Sequence, residues 1–537
     1  MLDRILARLG GARADPARLL QEAEEAYERG ELEVSRRLCE AALARQPGAR
    51  AQCLMAAIAA DAGRTEEGLE WTRRAQASDP SAAGPHYVAG RLWQGAGRLA
   101  DAEASYRRAI ALQPGHARAY NNLGGVLHMQ GNLDGALAAY RKALDLEPGL
   151  AQANQNYASI VRDTGVLERA AQGYRRQTLA NPRDALAFND LGNTLRELGR
   201  HDEALAAYAQ ALAIEPELAE AHFSRAFVLL LRGEYAEGWR EYEWRWRIPA
   251  FNGPARRFAQ PIWDGARTGG AILLHAEQGL GDTLQFARYA APVAARCASV
   301  VLECQPELRS LMEGVPGVAR VVARGEPLPA FDAHAPLMSL PARFGSTLEN
   351  LPWGGPYVRA EPQRIERWRS VLDADAASLG TVRLRVGLVW AGRPQQWDDR
   401  KRSISLAAMA PLSRAAGTIF YSLQVGAAAA QASAPPSGMR LIDHAARIAD
   451  FSDTAALATL LDLVITIDTS VAHLGGAMGL PTWVLVAHAP DWRYHLARAD
   501  NPWYPSMRLF RQARDGDWAD AIEAVADALV QRAGLRG

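Results

Sequence analysis

Lysine is almost missing: of the 60 basic residues only Lys142 and Lys401 are lysines, and 60 acidic residues cancel the total charge. A neutral balance leaves no overall electrostatic footprint for nucleic acid or an anionic membrane, so neither is expected as a partner, local patches apart. Long apolar runs are missing too. No stretch approaches the roughly 18 uninterrupted apolar residues of a membrane span. The start, Met1 to Gly10, reads as an amphipathic turn or two, so 1–14 is taken as a leader and the chain as cytoplasmic. The four cysteines, Cys39, Cys53, Cys297 and Cys304, form no C-x-x-C pair, which favours buried free thiols over metal sites or disulfides. No G-x-x-x-x-G-K-[ST] loop occurs, and the Gly279-Leu-Gly281-Asp282 turn is too short for the dinucleotide fingerprint, which weighs against P-loop and nicotinamide chemistry. Asp373-Ala-Asp375 has an Asp-x-Asp spacing but falls at a helix end, so no metal site and no resident cofactor is expected.

What is present is a period. Glycine recurs at Gly30, Gly63, Gly97, Gly131, Gly165, Gly199 and Gly233, and proline at Pro47, Pro80, Pro114, Pro148, Pro182 and Pro216. The repeat has 34 residues with one step of 33. The clearest copy reads Tyr120-x-x-Leu123-Gly124, then Ala136-x-x-x-Tyr140, Ala143 and Pro148, and it resembles the tetratricopeptide template of two antiparallel helices. Alanine sits where the paired helices cross, tyrosine fills the neighbouring gap, glycine turns one helix into the next, and proline ends the second. About seven units are expected over 15–247.

Such an array is a solenoid whose concave face suits a peptide or protein partner. One column of that face holds Asn122, Asn156, Asp190 and Ser224. An amide offers both donor and acceptor, so a ladder of them can hold an extended backbone; solvated helix positions or bonds between repeats are the plainer explanation. The column resembles the asparagine ladder of the O-linked N-acetylglucosamine transferases, which join such repeats to a GT-B catalytic half. An Arg- and Trp-rich segment, Trp239 to Arg247, leads into a linker at 248–269. Its tryptophans could stack a sugar or base, or form a joint to the next domain.

From Ala271 the period changes to alternating strands and helices, with apolar runs at Ala271–His275, Ser299–Glu303, Val318–Val322, Arg385–Gly392, Thr418–Leu423, Leu463–Ile467 and Thr482–Val486. The Gly279–Thr283 stretch reads as a tight loop before a helix from Leu284, with Asp282 placed either as a helix cap or as a free carboxylate. Val464 to Pro481 reads as a strand, a turn at Asp468-Thr469-Ser470 and a helix of small residues, whose free N–H groups suit a phosphate.

The run Asp468-Thr-Ser-Val-Ala-His473, followed by Gly479-Leu-Pro481, resembles the donor site of the heptosyltransferase-type glycosyltransferases. That resemblance implies a GT-B fold of two Rossmann-like halves, 270–365 and 366–537, and a nucleotide-sugar as co-substrate. It implies Asp282 as the base, with Gly281 and Thr283 beside the donor. Lys401 or Arg402 would meet the phosphates, the scarcity of lysine favouring Lys401, together with Asp468, Thr469, Ser470 and His473. Transfer would be inverting and metal-independent, to a protein acceptor such as flagellin held by Asn122, Asn156, Asp190 and Ser224. A lipid-linked or polysaccharide acceptor, and a non-catalytic scaffold, are the alternatives. The sugar, the nucleotide and the oligomeric state are not fixed by the sequence. The α/β part is expected to fold without the repeats, so a chain starting near Gly253 should keep its core.

Overall fold

The computed structural model describes residues 15–161, 164–248, 258–379, 382–393 and 399–535. The leader, much of the linker and the final two residues lie outside them. The chain divides into two compact units, Met1–Arg169 and Ala170–Gly537.

Among the described residues seven helix pairs fill the first half: α1 Pro16–Glu28, α2 Leu32–Leu43, α3 Ala49–Asp61, α4 Thr65–Ser78, α5 Ala83–Gly95, α6 Leu99–Leu112, α7 Ala117–Met129, α8 Leu133–Leu146, α9 Ala151–Val161, α10 Thr164–Ala180, α11 Ala185–Glu197, α12 His201–Ile214, α13 Ala219–Arg232 and α14 Tyr235–Tyr242. The turning glycines hold φ between 70° and 84° at Gly30, Gly63, Gly97, Gly131, Gly199 and Gly233, a region that side chains with a Cβ avoid. Gly165 is the exception, falling inside α10. A second glycine explains the repeated tyrosine. A Cβ added at Gly124 would meet the Tyr140 ring at 2.6 Å, and one at Gly192 the Tyr208 ring at 2.5 Å, so each pair crosses closely only because that glycine leaves room for the aromatic ring.

Among its described residues the second unit holds two all-parallel sheets. The first has the order β3-β2-β1-β4, from β1 Ala271–His275, β2 Ser299–Cys304, β3 Arg320–Ala323 and β4 Ala333–Pro336. The second has the order β10-β9-β8-β5-β6-β7, from β5 Leu384–Leu388, β6 Thr418–Ser422, β7 Leu441–Asp443, β8 Leu463–Ile467, β9 Thr482–Val486 and β10 Met507–Arg511. Strands β6, β8 and β9 are buried at every residue, as expected of parallel strands covered on both faces. Strand order reverses between β1 and β4 and between β5 and β8. Crevices open at such switch points beyond the carboxyl ends of the strands, and the expected site loops follow β1, β5 and β8.

The division into units groups the last repeats with the α/β part. Tyr235, Trp239 and Tyr242 of the seventh pair belong to the same apolar core as Phe286, Trp492 and Trp503. Trp239 is 2% exposed and meets Trp492 edge-on at 5.1 Å. A chain starting near Gly253, itself outside the described residues, would lack these rings. Among the described residues no helix is long and apolar enough to cross a membrane.

Candidate functional site

The site grows from the first turn after β1. Helix α15 (Leu280–Phe286) starts at N-cap Gly279, so the expected glycine loop is already the first helical turn. Asp282, three residues in, accepts the Gly279 N–H at 2.8 Å with Oδ2, closing the reciprocal arm of a capping box. Its other oxygen, Oδ1, accepts from Arg493 Nη2. Capping and site position therefore coexist, one oxygen each. Burial pushes the Asp282 carboxyl up from its ordinary range, against the opposing pull of Arg493 and the Gly279 N–H.

The facing element is α16 (Ser470–Ala477), which follows β8. Thr469 is its N-cap, accepting the Val471 N–H at 3.3 Å. Glycines let this helix sit close: a Cβ at Gly475 would collide with Thr482 Oγ1, and one at Gly476 with the Tyr504 ring. Gly281 does the same from the other side, since its Cβ would meet His473 Cδ2 at 2.7 Å. Gly281 and His473 are thus packed against each other. His473 is buried, with Nδ1 3.1 Å from the Tyr504 hydroxyl. Burial, then Arg493, Arg288 and Arg402, hold its pKa well below the usual range, so the ring is neutral.

Asp468 ends β8. Its Oδ1 accepts from the Tyr494 hydroxyl at 2.9 Å, and its Oδ2 lies 3.7 Å from Arg402 Nη1. A small pocket is lined by Lys401, Arg402, Asp468, Asp491 and Tyr494 together with Val486, Ala487, Ala489 and Pro490. Two cations thus stand beside Asp468 at the β5/β8 switch point. Of the basic stretch, residues 394–398 lie outside the described residues.

Arg493 and Tyr494 tie the two halves of the site, and neither was among the site residues expected from the sequence. Arg493 gives Nη1 to Asp491 at 2.9 Å and Nε to Gln285 at 2.6 Å besides its bond to Asp282. The signal was present in Pro490-Asp-Trp-Arg-Tyr, a charged and aromatic cluster directly after a buried strand. Thr283, expected beside the donor, faces inward from α15. It is 1% exposed and its hydroxyl donates to Gln305 Oε1 at 2.8 Å, because a residue one step past Asp282 on a helix points into the core.

In the first unit the asparagines bond to their neighbours. Asn122 Nδ2 donates to the hydroxyls of Tyr87 and Tyr106 at 3.3 and 3.4 Å, and Asn156 Nδ2 to Asn121 Oδ1 at 3.2 Å. These are bonds between repeats. Asp190 and Ser224, in the second unit, are half-buried on α11 and α13. The tryptophan segment forms a joint: Trp239 lies in the shared core, and Trp244 stacks on His222 at 3.8 Å.

Comparison with known proteins bears on the first half. A tetratricopeptide repeat family matches residues 20–83 and 87–151, and a second TPR repeat family matches 192–233. The N-terminal helix pairs are tetratricopeptide repeats. The chain is 26% identical over 342 residues to Protein FlbA of Caulobacter vibrioides, covering 58% of this chain and 55% of that protein. It thus spans about half the length of this curated relative. Among solved structures, a thermophilic TPR protein of Thermus thermophilus is 22% identical, with 40% of this chain and 100% of that one covered and a TM-score of 0.24. PilF of Pseudomonas aeruginosa is 20% identical, with 39% and 96% covered and a TM-score of 0.27.

Proposed function

We propose that the chain is a glycosyltransferase of GT-B type that moves a sugar from a nucleotide-sugar to a protein acceptor recruited by the repeats. The observation that carries the reading is the line of contacts from Asp282 through Arg493 and Tyr494 to Asp468, beside a pocket with Lys401 and Arg402. One end offers a half-buried carboxylate to take a proton from the attacking hydroxyl. The other offers cations and a helix start to the departing phosphates. Direct attack at the anomeric carbon breaks its bond to the phosphate oxygen, the proton goes to Asp282, and the configuration inverts. Lys401, Arg402, Asp468, Thr469, Ser470 and His473 form the donor side of this reading, and Gly281 shapes its wall.

The test is to incubate the full chain with UDP-, GDP- and CMP-linked sugars and cell protein, and to follow nucleotide release and protein mass. Mass spectrometry of cellular glycoproteins, flagellin first, with and without the protein names the acceptor. Failure of every donor to bind or turn over would sink the reading. A non-catalytic repeat scaffold then stands, and one observation favours it: both Asp282 oxygens are engaged within the protein.

A further inference from the structure

The two turns that meet in the candidate site are each tied to the seventh helix pair. The first runs from Glu277 to Asp282. Arg245, fully buried just after α14, donates to both Glu277 oxygens at 3.0 and 3.1 Å and to Ser339 Oγ at 2.8 Å. Gln278 Nε2 donates to the Tyr242 hydroxyl at 2.9 Å. These anchors lie four and five residues before Asp282.

The second turn runs from Asp491 to His495. His495 is the one non-glycine residue with positive φ among the described residues, at φ 54° and ψ −176°. Such a backbone is costly and persists only where its surroundings over-determine it. Here they do. His495 Nδ1 lies 3.1 Å from the Leu231 carbonyl, which can only accept, so Nδ1 carries the hydrogen. Nε2 therefore accepts from the Tyr235 hydroxyl at 3.1 Å, and the Tyr235 oxygen accepts from Trp503 Nε1 at 2.8 Å. Burial, the largest influence, keeps this ring below its usual pKa and so neutral, as the bonding pattern requires. His495 comes two residues after Arg493.

We infer that the seventh helix pair is a positioning element of the site, holding one turn through Tyr242 and Arg245 and the other through Tyr235 so that Asp282 and Arg493 meet. Its value to catalysis rests on the proposed role of Asp282. The last repeat is then part of the catalytic machinery, whatever the earlier repeats recognise.

Hydrogen exchange on the full chain tests it, comparing the native protein with Tyr242→Phe and Tyr235→Phe, each of which loses one hydroxyl and keeps its ring. Tyr242→Phe should speed exchange at the amides of Gly279 to Thr283 by about tenfold, and Tyr235→Phe that at Arg493 to Leu496, leaving β8 and α16 unchanged. Turnover of the sugar nucleotides should fall while affinity for UDP and GDP stays within about twofold, since a turn out of place harms the transition state first. Unchanged turns in the folded variants, or a uniform loosening of the whole unit, would overturn the inference and leave an ordinary joint. Should Tyr242→Phe not fold, Gln278→Ala cuts the same bond from the other end. Asp282→Asn separates the two ideas: turns that loosen as stated, with turnover indifferent to Asp282, keep the clamp and reject the base.

Discussion

Arg493 holds Asp282 with one nitrogen and Asp491 with another, across 211 residues of sequence in the first case and two in the second. A paired carboxylate is a poor proton acceptor until its partner lets go. Arg493 is buried and Asp282 half-buried, and the loss of solvent around the carboxylate outweighs the cation, leaving the Asp282 carboxyl above its ordinary range. The arrangement keeps an ionised partner close without making the carboxylate permanently too acidic to act as a base.

Asp282→Asn is expected to lower transfer by about 10²–10⁴-fold, the usual loss for a positioned general base. Because asparagine can still accept the Gly279 N–H, folding and nucleotide affinity should change little. A base works deprotonated, so kcat/KM should rise with pH through the Asp282 pKa. Arg493 lowers that pKa, hence Arg493→Gln should move the acid limb to higher pH. A pH–rate profile that stays put in the Arg493 variant would show that another group sets the limb.

Lys401 and Arg402 should both weaken nucleotide binding when replaced by alanine, by about tenfold or more each, since both line the pocket beside Asp468. Arg402 is already drawn to Asp399 and Asp468, at 3.5 and 3.7 Å, so its head is preset while Lys401 brings a more flexible stem. Calorimetry with UDP and GDP reads both variants. Equal affinity in the double variant would put the phosphates on the Thr469–Ser470 helix start alone.

Local signals were legible and long-range ones were not. β8 and β9 begin and end where the apolar runs do, and the small residues of α16 foretell its close packing, because all of this lies within some twenty residues. The early start of α15 was missed because its cap is a glycine, and the stabilising bond comes from Asp282 reaching back. Arg493 was missed because its meaning lies in Asp282, far away in sequence. The unit boundary at Ala170 was hidden for the same reason: an aromatic repeat segment reads alike whether its rings face solvent, ligand or a distant tryptophan.

Glu277 offers a stability test. Burial, against the attraction of Arg245 and with Glu243 and Asp282 adding repulsion, pushes its carboxyl up to about 7, whereas an unfolded glutamate titrates near 4.3. The folded state binds the proton more tightly, so stability from this group is full below the unfolded pKa and is lost as pH rises through about 7. Glu277→Gln should flatten the fall of Tm between pH 5 and 7, roughly the span separating those two values. The same slope in both proteins would mean that Arg245 keeps Glu277 ionised throughout.

The most exposed prediction concerns where the chain can be cut. Trp239 is packed among Trp492, Phe286 and Tyr242, and removing a buried tryptophan side chain typically costs about 3–5 kcal/mol. A chain starting at 258 loses Trp239 along with Tyr235 and Tyr242, and should be insoluble or unfolded by circular dichroism. A chain starting at Ala170 keeps the whole compact unit, and should fold and bind UDP or GDP with the affinity of the full protein. If the earlier repeats choose the acceptor, that shorter chain should lose transfer to intact protein, because Asn122 and Asn156 are gone while Asp190 and Ser224 remain. In the full chain Asn122→Ala with Asn156→Ala should weaken acceptor binding without changing donor affinity. Their amides also bond to Tyr87, Tyr106 and Asn121, so a drop in repeat stability alone, with acceptor affinity intact, would assign them to packing between repeats.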